Sequence, residues 1–295
     1  MSRSDDLAAF EAARPVLLGL AYRILGSRAD AEDAVQDTFI KWETTDKHGI
    51  DSPVAWLTTA CTRRCIDLLR AAHRVRVDYV GAWLPEPIQT RAMTDDENDP
   101  SLGASLGTAF MLMLERLTPK ERAAYLLHEI FDMDYPDVAR TLDMRETTCR
   151  KLVSRARANI DQAKVRHVTP LERQQQLLAA FETAVANGNP GSLTALLSDD
   201  IELAVDSGGK VSAIGRILRG KDEVLEFITQ SLRRYWHTSQ RLPTDINGGR
   251  GLIVEQGGER SAAVSFGYDE AGNVTRIYIM RNPDKLARLG QTQIR

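Results

Sequence analysis

At 295 residues, 43% of them hydrophobic and 27% charged, the chain is long for a single core and suits two or three domains of a soluble globular protein. A formal net charge of -3 excludes a wholesale basic nucleic-acid binder, so any DNA contact must come from local cationic clusters. No run approaches the roughly 20 apolar residues of a membrane span, MSRSDDLAAF lacks a signal-peptide core, and the odd cysteine count makes no even disulfide framework. A cytoplasmic chain with no membrane partner is expected.

In the first block, Phe10, Val16, Leu17, Leu20, Ile24 and Leu25 space as one helix face that ends at Gly26. Ser27 or Asp30 can cap the next helix, ADAEDAVQDTFIKW. Its Ala31, Ala34, Val35, Thr38 and Ile40 turn inward, leaving Glu32, Asp33, Gln36 and Asp37 as an acidic outer stripe, which would also suit plain solvated surface. After His48, Gly49 and Pro53 a third long helix follows, AWLTTACTRRCIDLLRAAHRVR. Trp56, Thr59, Arg63, Arg64, Arg70, Arg74 and Arg76 are among its polar and aromatic members. Aromatic rings beside arginines suit unpaired bases and a phosphate backbone, though a core tryptophan among solvated arginines would fit the same pattern. Cys61 and Cys65 lie one helical turn apart, but no cysteine or histidine pair close in sequence completes tetrahedral zinc. They read as buried free thiols, and no metal or cofactor is expected.

From Asp78 to Ser105 the composition changes to a joint. Pro85 and Pro87 stiffen WLPEP into an extended segment, and the acidic, poorly apolar stretch that follows has linker composition. Trp83 and Leu84 on such a segment suggest a docking contact.

The next stretch reads as three short helices. Thr118, Pro119 and Glu121 supply a hydroxyl cap, a proline for the first turn and a carboxylate that reaches back, which together form a capping box. Ala124, Leu127 and Ile130 recur at helical spacing, and Pro136 opens a second helix whose Val138, Ala139 and Leu142 face the same core. After a turn at Asp143 and Met144, Cys149, Leu152, Val153 and Ala156 fall at i, i+3, i+4 and i+7. Arg150, Lys151, Arg155 and Arg157 must then project outward. This is a helix-turn-helix pattern whose last helix fits the major groove, although a solvated charged face would share the pattern.

Beyond Pro170 the period changes. A helix from Leu171 to Asn187 ends near Gly188, and a short helix contains Leu193, Leu196 and Leu197. IELAVD reads as a strand, a helix runs from Lys221 to about Tyr235, and LIVEQ, SAAVSFGYD and VTRIYIMR read as strands broken by Gly-Gly or Ala-Gly-Asn turns. The order predicts an α+β domain, helices first and then an antiparallel curved sheet.

Several of these stretches resemble a known family. Asp33, Gln36, Asp37 and Phe39 within AEDAVQDTF, with PVAWL at Pro53 to Leu57 and DLLR at Asp67 to Arg70, look like region two of the extracytoplasmic-function sigma factors. Leu117 to Arg157, with LTPKER and RAR at Arg155 to Arg157, is similar to region four. The resemblance implies a multidomain chain: two all-α sigma domains, a region-two bundle and a region-four helix-turn-helix, followed by an α+β NTF2-like cone. It implies that Asp33, Gln36, Asp37 and Phe39 dock on core RNA polymerase and that Trp56, Thr59, Arg63, Arg64 and Arg70 hold the melted minus-ten strand of promoter DNA. It further implies that Arg145, Glu146, Thr147, Thr148, Arg150, Lys151 and Arg155 read the minus-thirty-five element. The family often has Ser at Arg145, Gly at Asp143 and Asn at Thr62, departures that bear on sequence preference.

YVGAWLPEP at Tyr79 to Pro87 is similar to the signature of a subgroup with a SnoaL-like C-terminal domain. DSGGK at Asp206 to Lys210, with Ser207 in place of a glycine, and NPDKL at Asn282 to Leu286 match motifs of that subgroup. Trp83, Leu84, Pro85, Glu86 and Pro87 are thereby expected to make regulatory contacts. The same holds for Asp206, Gly208, Gly209 and Lys210, and for Asn282, Pro283, Asp284, Lys285 and Leu286.

The expected domains are 1–77 for region two, 78–105 for the linker, 106–168 for region four and 169–295 for the SnoaL-like domain. The function expected is that of a sigma factor adjusted in cis by its last domain, whose pocket would take a small ligand of unknown kind. A plain helix-turn-helix regulator with a ligand-sensing C-terminal domain is the alternative, and the block from Asp30 to Arg70 argues against it. A second alternative is an enzyme merely tethered to DNA. No His and Asp pairing specifies chemistry, so no catalytic residue is assigned and the chain is not expected to be an enzyme.

Overall fold

A computed structural model describes residues 3–76, 79–90, 106–161 and 169–289. The chain forms two compact units, one built from the first three helices and the helices after Met113, the other from the segment around Tyr79 to Leu112 and the C-terminal domain.

In the first unit α1 (Arg3–Leu25), α2 (Arg28–Thr44) and α3 (Pro53–Arg76) bury one face each. Phe10, Ala13, Leu17, Leu20, Ala21 and Ile24 recur every three or four residues along α1 and meet Ala31, Ala34, Val35 and Trp42 of α2 and Leu57, Cys61, Cys65 and Leu69 of α3. Gly26, at φ 68°, ends α1, and the Ser27 hydroxyl accepts from the Asp30 amide at 3.2 Å to start α2. Two residues assigned to inner faces lie outside: Val16 is 53% and Ile40 54% exposed. Each sits at the margin of a stripe already filled by its neighbours, and Trp42 takes the inward place at the end of α2, its indole N–H bonded to the Asp6 carbonyl at 2.9 Å.

Helix α4 spans Thr108–Leu114. Beyond it α5 (Pro119–Glu129), α6 (Tyr135–Thr141) and α7 (Glu146–Asp161) form a tri-helical fold. The capping box is complete, with the Thr118 amide on Glu121 at 3.1 Å and the Glu121 amide on the Thr118 hydroxyl at 3.4 Å. Asp143 makes the turn in the left-handed region at φ 51°, which aspartate tolerates better than most residues. Val138, Ala139 and Leu142 meet Cys149, Val153 and Ala156 in the core, while Leu152 and Ile130 are only half-buried at its edge rather than inside it.

In the second unit α8 (Leu171–Asn187) ends at Gly188 in the left-handed conformation, φ 70°, and α9 is confined to Gly191–Thr194. Leu196 lies in the following turn and Leu197 opens β1 (Leu197–Asp206), so the expected short helix is shorter than drawn. After β2 (Leu218–Arg219), α10 (Lys221–Glu226) continues through a π-helical segment, Phe227–Leu232, into α11 (Arg233–Trp236). Strands β3 (Gln240–Ile246), β4 (Gly249–Gln256), β5 (Glu259–Tyr268) and β6 (Val274–Met280) follow, then a single turn, α12 (Pro283–Leu286).

The sheet order is β2-β1-β6-β5-β4-β3, with β1 and β6 parallel and all other pairs antiparallel. The expected all-antiparallel sheet is therefore a mixed one. The crossover through α10 and α11 and the three hairpins after it bring β6 back beside β1 running the same way. Both faces of the sheet are covered. Leu203, Val205, Val264, Ile277 and Ile279 face α8 and the π-helical segment, through residues such as Phe181 and Ile228. Their neighbours Ala204, Ala263, Tyr278 and Met280 point the other way, onto Leu84 of the joint and onto Leu286 and Leu289. The joint is thus the second layer over this sheet.

Candidate functional site

On α2, Asp33 and Gln36 are exposed at helical spacing and Asp37 is half-exposed beside them. Asp37 accepts from Arg64 of α3 at 2.6 Å, so a residue assigned to polymerase and one assigned to the minus-ten strand are each other's partners here. Both side chains are more than 40% exposed, which makes the pair easily exchanged. Phe39 is half-buried, its ring 4.7 Å from that of Phe10, and so anchors α2 to α1.

Along α3, Trp56 lies 5.2 Å from Trp42 and within 6.0 Å of the Lys41 ammonium, partly core and partly open. Arg63 donates to the carbonyls of Thr141 at 2.8 Å and Arg140 at 3.1 Å, at the C-terminal end of α6. Carbonyls at a helix's C-terminal end attract a cation, and that of Arg140 accepts from the Leu142 and Asp143 amides as well. The hydroxyls of Thr59 and Thr141 lie 3.2 Å apart. Two residues assigned to single-stranded DNA are thus engaged with the helix-turn-helix. Arg70 pairs loosely with Asp67, at 3.4 Å, and edges a cleft of about 390 Å³ whose other wall includes Lys120, Met144 and Thr148. The side chains of Arg74 and Arg76 lie outside the described residues. Cys61 and Cys65 are buried free thiols, and burial pushes the Cys65 thiol well up, so it stays a neutral core group.

On α7 the structure presents Arg145, Thr147, Thr148, Arg150, Lys151 and Arg155 as exposed, with Glu146 half-exposed. The Arg145 carbonyl accepts the Cys149 amide at 3.1 Å, so Arg145 stands at the helix start. Arg157 is taken by Glu129, at 2.9 Å, and ties α7 to α5.

The three motifs of the second unit converge on Asp206. Its fully buried carboxylate accepts from the Tyr79 hydroxyl at 2.6 Å, the Leu84 amide at 2.8 Å, the Lys285 ammonium at 2.8 Å and the Gly208 amide at 3.1 Å. Lys285 also donates to the Leu84 carbonyl at 2.6 Å and lies 4.6 Å and 5.0 Å from the Trp83 and Tyr79 ring centres. Asn282 caps α12, bonding the Asp284 amide, and its side-chain amide donates to the Tyr79 hydroxyl at 2.8 Å. Lys210 pairs with Asp284 across the surface. Burial and the Asp206 carboxylate push the Tyr79 hydroxyl upward, keeping it a neutral donor. Both Gly208 and Gly209 have positive φ, which favours glycine, and a side chain at 208 would strike Asn282 while one at 209 would crowd Val80.

Leu84, Pro85, Glu86, Pro87 and Ile88 are all buried. The Ile88 amide is held by Asn247 at 2.9 Å, and Thr90 bonds the Asp245 carbonyl at 3.0 Å. Tyr79 and Asn247 join these contacts without being among the residues expected from the sequence. Tyr79 begins the motif that carried the resemblance, and Asn247, at φ 52°, belongs to the Asn-Gly-Gly turn between β3 and β4.

The chain matches two family models, Sigma-70 region 2 over residues 9–75 and Sigma-70 region 4 over residues 108–160. It is 37% identical over 236 residues to the ECF RNA polymerase sigma factor SigJ of Mycobacterium tuberculosis, covering 78% of this chain and 74% of that protein. It is 28% identical over 290 residues to the probable ECF RNA polymerase sigma factor SigI of the same species, covering 97% of each. The crystal structure of the M. tuberculosis SigJ superimposes with a TM-score of 0.75 at 30% identity, over 97% of this chain and 100% of that one. The likeness therefore includes the C-terminal sheet domain, the SnoaL-like domain expected from the sequence.

Proposed function

This chain belongs to the extracytoplasmic-function RNA polymerase sigma factors, with a SnoaL-like C-terminal extension, and we propose how its residues divide that work. Asp33, Gln36 and Asp37 dock on core polymerase, α3 captures the melted minus-ten strand through Trp56, Thr59, Arg63, Arg64 and Arg70, and α7 enters the major groove at the minus-thirty-five element. The single observation that carries this reading is an exposed acidic face on α2 in the same chain as a cationic recognition helix. A one-component regulator needs the second and has no use for the first.

Residues 1–77 act as region two and 106–168 as region four, with the joint at 78–105 and the last domain at 169–295. The last domain acts on transcription through the joint, since Leu84 of WLPEP is bound by Asp206 and Lys285 and the following Ile88 by Asn247. It adjusts activity in cis and carries out no reaction of its own. The Trp83–Pro87, Asp206–Lys210 and Asn282–Leu286 contacts are the means of that adjustment, and a small ligand of the last domain would act through them. The chain works where the polymerase is, in the cytoplasm; among the described residues no helix is long and apolar enough to cross a membrane.

Run-off transcription with purified core polymerase is the test. Specific transcripts that depend on the chain are expected, and core polymerase that transcribes identically with and without it would end the reading.

A further inference from the structure

The exposed arginines of α7 are not held alike. Arg150 donates through Nε at 2.8 Å to one oxygen of Glu146, one turn earlier on the same helix, with Nη2 2.7 Å from that same oxygen, and its guanidinium carbon lies 4.2 Å from the ring centre of Tyr135. Tyr135 is the first residue of α6 and is itself stacked on His128 of α5, with ring centres 3.9 Å apart. The His128 ring is fixed in turn by the Met133 carbonyl at 2.9 Å. A residue on each of the other two helices therefore helps set where the Arg150 guanidinium sits.

A guanidinium has two edges that can each offer a parallel pair of N–H groups. Glu146 occupies the Nε–Nη2 edge, which leaves the Nη1–Nη2 edge facing away from it. Two parallel donors in a fixed plane match the O6 and N7 acceptors of guanine in the major groove, and the same fork also matches a phosphate. The Glu146 carboxylate beside it disfavours a phosphate at the same place.

We propose that Arg150 reads a guanine base edge rather than the DNA backbone, and that Tyr135 is a positioning residue for that contact. The proposal rests on α7 being the recognition helix. An exposed cation held over an aromatic ring gains only a few-fold in population, so the Tyr135 effect should be smaller than that of removing the arginine.

The test uses the full chain assembled with core polymerase and a random-sequence duplex pool, sequenced after selection. The enriched duplex is then compared by fluorescence anisotropy with copies carrying 7-deazaguanine, which lacks the N7 acceptor, at each guanine in turn. The intact chain should lose about 5- to 150-fold in affinity at one guanine. Arg150→Ala should bind the unmodified duplex that much more weakly and ignore the substitution at that guanine, while its salt dependence stays near that of the intact chain. Tyr135→Leu should lower the discrimination about 2- to 5-fold, with no further effect in the Arg150→Ala background. Tyr135→Phe keeps the ring and should behave as the intact chain, which separates stacking from any loss of fold.

If the assembled protein enriches no sequence, the reading of α7 itself fails. If a sequence is enriched but no 7-deazaguanine effect depends on Arg150, or Arg150→Ala mainly lowers the salt slope, α7 still reads DNA and the base contact proposed for Arg150 is wrong. Full discrimination in Tyr135→Leu would remove Tyr135 from the account.

Discussion

Asp206→Ala removes the acceptor on which four donors from three segments converge, and its cost can be worked from their positions. The Lys285 ammonium, whose side chain is 14% exposed, and the Leu84 amide are left in a water-poor site. Breaking a buried ion pair from one side typically costs about 3 to 5 kcal/mol. The ammonium keeps the Leu84 carbonyl and two aromatic faces, which places the expected loss near the lower end, about 3 kcal/mol. A unit of this size melts roughly 2 to 4 °C lower per kcal/mol, so the second unit should melt roughly 6 to 12 °C earlier. Lys285→Met added to Asp206→Ala should cost less than the two single changes together, because no charge is then stranded.

Calorimetry and amide hydrogen exchange together make the assay. Exchange at Leu84 should rise steeply, whereas Ile88, bonded separately to Asn247, should be less affected. A melting point within about 2 °C of the intact chain with the Leu84 amide still protected would refute the claim that Asp206 holds the joint.

Asp33→Ala with Gln36→Ala, both at exposed positions, should leave stability within about 0.5 kcal/mol and weaken co-purification with core polymerase; undiminished recovery would count against α2 as the docking face. Gly208→Ala should lower stability by about 1 to 3 kcal/mol, since the residue sits at φ 59° against Asn282, and a thermal melt checks it. Burial holds the hydroxyls of Tyr79, Tyr268 and Tyr278 above the ordinary tyrosine value, so their stabilising contribution is complete below about pH 10 and is lost as pH rises beyond it. Alkaline denaturation followed at the tyrosinate absorbance should show these three ionising only as the fold opens, and Tyr79→Phe should shift that transition. Ending the chain after Pro170 leaves Leu84 and Ile88 without their sheet, whereas stopping before Asn282 keeps the strands but removes the bonds of Asn282, Asp284 and Lys285 and the Leu286 and Leu289 side chains. Run-off transcription should change in both, by different amounts, and output equal to that of the intact chain in both would make the domain a passenger.

Structure is legible in the sequence where one residue type decides it. Thr118 with Glu121, Ser27 before α2, and Gly188 after α8 each satisfy a helix end by a bond that spacing alone predicts. Marginal positions were not legible in the same way. Val16 and Ile40 fit their stripes by period yet face outward, because where a stripe stops depends on the width of the neighbouring helix. Strand β3 was hidden by Pro243, which an edge strand tolerates, and the parallel pairing of β1 with β6 depends on a partner about 75 residues away. The candidate sites divide likewise. WLPEP, DSGGK and NPDKL were recognisable as motifs, but only the fold reveals that Asp206 is where they meet, or that Asn247 secures the far end of the joint. The stacking of Tyr135 against Arg150 has no signature in spacing, since the two residues belong to different helices.

Arg63 carries a further consequence. The edge of its guanidinium that faces α6 must give up two bonds before that edge can meet the promoter phosphate proposed for it. At about 1 kcal/mol each, such bonds leave only about 3% of molecules with the side chain disengaged. Single-stranded DNA offered to the free chain would then find its partner ready in a few molecules per hundred, and the apparent affinity would be weaker by roughly thirtyfold than the intrinsic one. A surface that separates α3 from α6 beforehand removes that penalty. Strand capture through that edge of Arg63 would then wait on an earlier binding event, an order of assembly set by one side chain.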